Sequence, residues 1–156
     1  MTASKTKLVG ALNAVGVSPK METFADRLRL QKIVWLMQKF DVKLGFKYSW
    51  YLHGPYSPEL TRNLYEIVQS NLPEHESIAA RDLARIDALR TVLGDDLNSA
   101  DKLELLASID FLRHSVGPLT RGDVKTFLAE TKPYFNEKQI EECWEKSIQL
   151  DSAVRS

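Results

Sequence analysis

The stretch that decides the fold is Leu28-Arg29-Leu30-Gln31-Lys32-Ile33-Val34-Trp35-Leu36-Met37, which lies in a predicted helix over about residues 23–40. Plotted at about 100° per residue, the apolar side chains of this helix cover one broad arc and one narrow second stripe. The second stripe consists of Phe24, Leu28 and Trp35. Because apolar residues on two sides of a helix need two packing partners, we expect this helix to lie at the centre of the fold.

Downstream of this helix the pattern changes to the period of a β-strand. Over residues 46–52, aromatic and aliphatic side chains occupy every second position. A strand needs a partner, and we expect either a short irregular segment, such as that around 18–22, or another chain. Gly54-Pro55 predicts a turn from the strand into the next helix, and Ser57-Pro58-Glu59 predicts the start of that helix, since Ser caps well and Pro suits the first turn.

Three polar side chains lie on or beside apolar faces of the predicted central helix. We expect Gln31 to hydrogen-bond the backbone of the aromatic strand, with partner recognition as the alternative. Lys32 and Lys39 flank the second stripe. Their stems are expected to lie along Trp35 while the ammonium groups reach water.

The remaining glycines and prolines separate further segments with helical periodicity. We therefore predict one mostly α-helical domain over residues 1–156, a bundle of about seven helices around the central one, with a minimal β element near 46–52. The front half, about 1–72, carries the motif, and the back half, about 73–156, is helical. The other helices are expected at about 5–16, from 57 to about 71, at about 77–93 and 99–115, from 120 onward, and from 136 to about 152.

Composition excludes several classes of protein. The 156 residues contain 21 basic and 21 acidic side chains, so the formal net charge of zero argues against a protein that coats nucleic acid or anionic membrane by bulk charge. The single cysteine, Cys143, excludes an internal disulfide and a cysteine-rich zinc site and is expected to be a core residue rather than a nucleophile. With no apolar run of membrane-spanning length and no apolar signal core, we expect a cytoplasmic protein that uses no membrane.

Metal and cofactor chemistry find no support in the sequence. His53, His75 and His114 lack the spacing of metal ligands, and no glycine-rich phosphate loop or dinucleotide fingerprint follows a strand. We therefore expect no metal and no cofactor. A small hydrolase or transferase using His53 as a general base is the only enzymatic alternative, because an imidazole titrates near neutrality.

The spaced motifs resemble a known family. A helix with Leu30-Gln31-Lys32-Ile33, an aromatic strand, Gly54-Pro55 and a helix carrying Tyr65 together resemble the Panacea antitoxin domain superfamily, and most closely its YwgA-like branch. The resemblance covers about residues 23–70. It implies that the chain neutralises a cognate toxin as the smaller partner of a two-gene pair. Tyr56-Ser57-Pro58-Glu59 departs from the family pattern, which usually has an aliphatic residue after Gly-Pro, and the back half lies outside it.

These features predict a non-enzymatic protein-interaction module, antitoxin-like or defence-associated. Tyr and Trp bury large areas and carry polar ends, and lysines rim the aromatic cluster, so the surface resembles a set of interface anchors. The helix start behind Gly54-Pro55 adds free N–H groups for an anion or a partner carboxylate, as an alternative to a purely structural turn. The predicted partner-binding residues are Lys32, Lys47, Trp50, Tyr51, His53, Gly54, Pro55 and Tyr56.

A DNA-binding regulator is the alternative function. Residues 1–72 carry ten basic and five acidic side chains, and residues 73–156 carry eleven basic and sixteen acidic ones, so the front half is the electropositive one. A winged-helix-like front half would place basic residues on phosphates. The candidates for such contacts are Arg27, Arg29, Lys39, Lys43 and Arg62.

Overall fold

Seven α-helices and one two-stranded sheet make up the residues that the computed structural model describes, 5–70 and 77–155. The predicted connection at 72–76, with His75, lies outside these ranges. The helices are α1 (Lys5–Val15), α2 (Phe24–Lys39), α3 (Pro58–Gln69), α4 (Ala80–Leu93), α5 (Ala100–Ser115), α6 (Arg121–Thr131) and α7 (Glu137–Arg155). The strands are β1 (Ser49–Tyr51) and β2 (Gly54–Tyr56), and a 3₁₀ helix spans Gly94–Asn98. The mostly α-helical, single-domain prediction is confirmed.

Helix α2 begins and ends for local reasons. The Thr23 hydroxyl accepts from the Asp26 N–H at 3.0 Å, and the Asp26 carboxylate accepts from the Thr23 N–H at 3.0 Å, which is a complete capping box. The helix ends before Asp41, whose φ of 63° no α-helix tolerates. The broad apolar arc of α2 is buried. The helix contacts α5 most extensively and also contacts β2, α3, α4 and the 3₁₀ helix, so its predicted central place is confirmed.

The lysines of α2 do not behave as the sequence predicts. Lys32 is fully buried, and its ammonium donates to the carbonyl oxygen of Pro55 at 2.6 Å. The ammonium of Lys39 lies 2.7 Å from a carboxylate oxygen of Asp110 and 2.7 Å from one of Asp151. The expectation that both ammonium groups reach water is therefore wrong, because α5, α7 and the hairpin cover this side of α2 and supply acceptors there.

The sheet is a hairpin inside the motif. Ser49 pairs with Tyr56 and Tyr51 with Gly54 in antiparallel register, and the turn lies at Leu52 and His53. The predicted pairing with residues 18–22 or with another chain is wrong. Gly54 and Pro55 belong to β2 itself, and the lack of an N–H on proline is tolerated because both strands of a two-stranded ribbon are edges.

The core has two parts that share helix α5. The larger part joins residues of α1–α5, the 3₁₀ helix and α7 around α2, and the smaller part joins α5, α6 and α7 around Leu105, Ile109 and Trp144. Helix α5 contributes one face to each part, which fixes the back half against the motif. Among the described residues, no helix has the length and hydropathy needed to cross a bilayer.

Candidate functional site

A pocket of about 330 Å³ opens between the first half of α2, the hairpin turn and the start of α3. This volume lies at the lower end of the range for ligand pockets. The described residues that line it include three basic side chains and no acidic one. They are Phe24, Arg27, Leu28, Gln31, Lys32, Tyr51, Leu52, His53, Tyr56, Thr61 and Tyr65.

The rim of the pocket is apolar and open to solvent. Phe24 is 53% exposed, Tyr51 47%, Leu52 82% and Tyr65 39%, and all four lie at this opening. The ring of Phe24 meets His53 edge-on with centroids 4.9 Å apart, and Tyr51 meets Tyr56 in the same way at 5.2 Å. Exposed large apolar groups that converge on one cavity are typical of a binding surface, whereas scattered ones are ordinary.

Lys32 is the most deeply buried of the residues that line the pocket. Lys32 is fully buried there, with Pro55 O as the acceptor for its ammonium. No described carboxylate lies within 4.0 Å of this ammonium. Burial lowers the pKa of Lys32 to about 7, opposed by the charge of Glu104 and assisted by that of Lys132. The amine is thus held against the backbone of β2, within 3.8 Å of the position that a Cβ of Gly54 would occupy.

Beside Lys32, Gln31 fixes the start of α3. Its side-chain oxygen accepts from the Ser57 N–H at 2.9 Å, and its amide nitrogen donates to Ser57 O at 2.9 Å and to Thr61 Oγ1 at 2.8 Å. The hydroxyls of Tyr56 and Thr61 are 2.7 Å apart. These hydrogen bonds pair the buried amide of Gln31 and fix the position of Ser57, the residue that follows β2.

A buried charged cluster lies behind the hairpin turn. The ammonium of Lys132 is 2.7 Å from Glu104 Oε2 and donates to Leu52 O at 3.1 Å. The Tyr134 hydroxyl donates to the same Glu104 oxygen, and burial with this carboxylate raises the pKa of Tyr134. His53 Nδ1 lies 3.4 Å from Glu104 Oε1, but the angle does not make a hydrogen bond. Residues of the back half thus support the turn that carries Leu52 and His53.

Gly54 lies where the hairpin contacts α5. Its φ is +92°, and a Cβ built there would be 2.3 Å from the Ser108 Oγ. The Ser108 hydroxyl is buried and has no hydrogen-bond partner in the described chain. Only glycine combines this backbone conformation with this contact. The predicted turn at Gly54-Pro55 is wrong, because both residues are paired with β1 and the turn lies at Leu52 and His53.

The structure brings four of the eight predicted partner-binding residues to the pocket: Lys32, Tyr51, His53 and Tyr56. Gly54 and Pro55 are buried in β2 behind it. Trp50 is half-buried on the other face of the hairpin, where its ring packs on Phe111 and Phe127 at 5.6 and 5.7 Å. Lys47 is exposed but does not line the pocket.

The five residues predicted for DNA contact are mostly engaged with the chain itself. Arg27 lines the pocket and donates to Met21 O at 3.2 Å, and Arg29 donates to Leu97 O at 2.6 Å. Lys39 is held by its two ion pairs. Lys43 and Arg62 are exposed. At least Lys39 is thereby unavailable for a phosphate.

Sequence reasoning missed several residues of the site. The narrow stripe of Phe24, Leu28 and Trp35 predicts a second packing partner for α2, but Phe24 and Leu28 line the pocket instead. Leu52, Thr61 and Tyr65 also line the pocket. Glu104, Lys132 and Tyr134 carry no local signal, since they reach the hairpin only through the packing of the back half.

A second polar cluster has the residue types of a metal site. Donor atoms of Asp110, His114 and Asp151 lie within 4.8 Å of one another. The Lys39 ammonium and the Arg113 guanidinium already contact these carboxylates, at 2.7 and 2.8 Å respectively. Because the cluster is neutralised by its own cations, it functions as an ion-pair network that joins α2, α5 and α7.

The cysteine is poorly suited to nucleophilic chemistry. Cys143 is half-buried against the α5–α6–α7 core. Burial raises the pKa of its thiol to about 12, so the thiolate is scarce at neutral pH.

Comparison of the chain with protein-family models, with curated proteins and with solved structures gives no match.

Proposed function

We propose that this chain is a non-enzymatic protein-interaction module whose binding surface is the pocket and its apolar rim, defined by Phe24, Tyr51, Leu52 and Tyr65. The observation that carries the proposal is the convergence of these four exposed side chains on one concave opening. Interface anchors are typically aromatic groups that fill or surround a pocket near the centre of a contact. A partner that binds here would bury the rim, and this chain would cover the active surface of the partner.

The construction of the site supports binding rather than chemistry. Its floor and walls are held by the Gln31 network and by the Glu104–Lys132 pair, so the pocket is largely pre-formed and costs little ordering on association. His53 has no described nucleophile or substrate-activating base in hydrogen-bond contact. The small hydrolase or transferase alternative therefore gains no support from the geometry.

The resemblance to Panacea antitoxin domains makes a toxin or a defence effector the proposed partner class. A reducing compartment such as the cytoplasm is part of the same proposal, since the one cysteine is unpaired. The DNA-binding alternative is weakened by the engagement of Lys39, Arg29 and Arg27 with groups of their own chain. The DNA-binding alternative would be supported only by binding to duplex DNA whose affinity falls steeply as the salt concentration rises.

The test is quantitative pull-down from the native host with matched variants. Leu52→Asp places a charge at the most exposed rim residue, and Tyr51→Ala removes a neighbouring ring. Val116→Asp is the control, since Val116 is 53% exposed and does not line the pocket. Because all three side chains are exposed, the thermal midpoints should change little.

We expect one protein to be recovered in a fixed ratio with the wild type and with Val116→Asp, and to be depleted about tenfold or more by Leu52→Asp, as for loss of an interface anchor. Equal recovery with Leu52→Asp, or recovery of no protein in a fixed ratio with the wild type, refutes the proposed function.

A further inference from the structure

We infer that a cavity between the end of α2, helix α4 and the end of α7 is a second binding site, and that its ligand is a small organic monocarboxylate with an apolar body. The carboxylate would pair with the guanidinium of Arg85, and the apolar body would lie on alanines of α4 and α7. This inference goes beyond the proposed function, since the cavity shares no described lining residue with the pocket.

The cavity has a volume of about 340 Å³, at the lower end of the range for ligand pockets. Two arginines of α4, Arg81 and Arg85, are the charged residues of its described lining, and no acidic side chain belongs to it. The other described lining residues are apolar: Phe40, Ala84, Ala88, Ala153 and Val154. A guanidinium beside apolar walls suits a ligand that carries an anionic group on a hydrocarbon body.

The first reason is that Arg85 lacks an acceptor. It is half-buried, and its Nη1 atom is closed to solvent without a hydrogen-bond partner. Its Nε and Nη2 atoms have no described acceptor either but are open to solvent, so a ligand can reach them. No described carboxylate lies within 4.0 Å of the side chain. A partly enclosed guanidinium without an acceptor costs free energy that a bound carboxylate would offset.

This lack of an acceptor sets Arg85 apart from the other half-buried arginines of the described chain. Each of those donates a hydrogen bond to a group of its own chain: Arg27 to Met21 O, Arg29 to Leu97 O and Arg113 to Ser147 Oγ. The donors of Arg85 are thus left for a group that this chain does not supply.

The second reason is the charge balance, which selects a monoanion. Arg81 is already paired with two carboxylates, since its Nη2 lies 2.5 Å from Asp41 Oδ2 and its Nη1 lies 2.9 Å from Asp82 Oδ1. The described lining therefore presents one uncompensated positive charge, that of Arg85, because a guanidinium stays protonated in proteins. One carboxylate neutralises this charge, whereas a phosphate dianion exceeds it.

The third reason is the apolar surface beside the guanidinium. Val154 is 39% exposed, and Ala88 and Ala153 are only partly buried against the larger part of the core. A hydrocarbon body that covers these three side chains would add apolar burial to the charge-assisted hydrogen bond. A monocarboxylate with such a body therefore matches the site better than an inorganic anion does.

The test uses two probes of similar shape on the full chain, phenylacetate and the neutral 2-phenylacetamide, in a buffer without carboxylate or phosphate. Binding is followed by the amide chemical shifts of α4 and of the end of α7. We expect phenylacetate to bind about tenfold more tightly than the amide, a difference typical of a charge-assisted hydrogen bond. Inorganic phosphate, the third probe, should bind more weakly than phenylacetate because it has no apolar body.

Three variants locate the preference. Arg85→Met should abolish it, and this variant should fold because the substitution breaks no described hydrogen bond. Arg90→Met is the matched control and should keep the preference, since Arg90 is exposed on the same helix and does not line the cavity. Val154→Glu adds a carboxylate at an exposed lining position and should weaken the binding of phenylacetate more than that of the amide, whether or not Arg85→Met folds.

Four outcomes would overturn the inference. Equal affinity for acid and amide would leave an apolar depression that does not recognise charge, and phosphate binding as tight as that of phenylacetate would identify a general anion site. A preference that survives Arg85→Met would assign the acid to another cation, and absence of phenylacetate binding would remove the site. Leu52→Asp should leave phenylacetate binding unchanged, so these outcomes are separate from the test of the proposed function by partner recovery.

Discussion

The ammonium of Lys132 lies 2.7 Å from Oε2 of Glu104, and neither side chain has more than 3% of its surface exposed. The pair joins α5 to the segment after α6, and its second hydrogen bond reaches Leu52 O in the hairpin turn. The ring of Trp50 lies 5.6 Å from the same ammonium. The buried Lys132–Glu104 pair of the back half therefore stabilises the exposed hairpin turn.

Lys132→Met should be strongly destabilising, because it leaves the Glu104 carboxylate buried without its hydrogen-bonded cation. We expect a loss of about 3–5 kcal/mol in the free energy of unfolding, measured by urea denaturation. The double variant Lys132→Met/Glu104→Gln should recover part of this loss, since the unpaired charge is removed. If the double variant is no more stable than Lys132→Met, the loss does not come from the charge.

A surface ion pair provides the matched control. Lys125 lies 2.6 Å from a carboxylate oxygen of Glu141, with both side chains about one-third exposed. Lys125→Met should change the free energy of unfolding by about 0–1 kcal/mol, because solvent screens the pair.

The sequence predicts the parts of this fold whose signals are local. The capping residues and two apolar stripes of α2 predict its bounds and its central place, and Ser57-Pro58 predicts the start of α3. The sequence does not predict the hairpin, because Gly54-Pro55-Tyr56 lacks the alternation of a strand. This segment lies against α5, a contact that no local pattern shows.

The chemistry of the site was only partly predictable for the same reason. The aromatic cluster is visible in the sequence, but the burial of Lys32 results from the packing of α5 and β2 on α2, which no local pattern shows. The Glu104–Lys132 pair spans 28 residues, so no spacing rule identifies it.

Gly54→Ala should destabilise the protein through both the backbone and Ser108. A Cβ at Gly54 would lie 2.3 Å from Ser108 Oγ, and the φ of +92° is strained for any residue with a Cβ. We expect a loss of at least about 1–2 kcal/mol from the backbone conformation, with the clash added to it. The thermal midpoint measures the change.

Two further variants separate these causes. Ser108→Ala should cost little by itself, because its buried hydroxyl has no described hydrogen-bond partner. Added to Gly54→Ala, it should restore the part of the loss that comes from the clash. Gly122→Ala, in helix α6 with no described atom nearer than 3.7 Å to the new Cβ, should instead stabilise the protein by about 0.5–1 kcal/mol. A Gly54→Ala protein as stable as the wild type would show that the hairpin does not approach α5 in this way.

The buried amine of Lys32 should make stability depend on pH. Its pKa in the folded protein is about 7, whereas in the unfolded chain it returns to the ordinary lysine value of 10.5. Between these values the unfolded chain binds more protons than the folded one, so the free energy of unfolding contributed by this group rises with pH. From pH 7 to about 8.5 the expected rise is about 1.5 kcal/mol. The comparison stops at pH 8.5 because burial raises the pKa values of Tyr48 and Cys143. Above that pH these two groups lower the free energy of unfolding as the pH rises.

Lys32→Met tests this dependence, because it removes the titrating group while keeping an unbranched side chain. Urea unfolding of the wild type should give a higher midpoint at pH 8.5 than at pH 7, and the variant should lose about 1.5 kcal/mol of that difference. Lys47→Met is the control, since Lys47 is exposed and the rise should persist in it. The same pH dependence in Lys32→Met as in the wild type would mean that another group titrates, and that the pKa of Lys32 is not lowered in the folded protein.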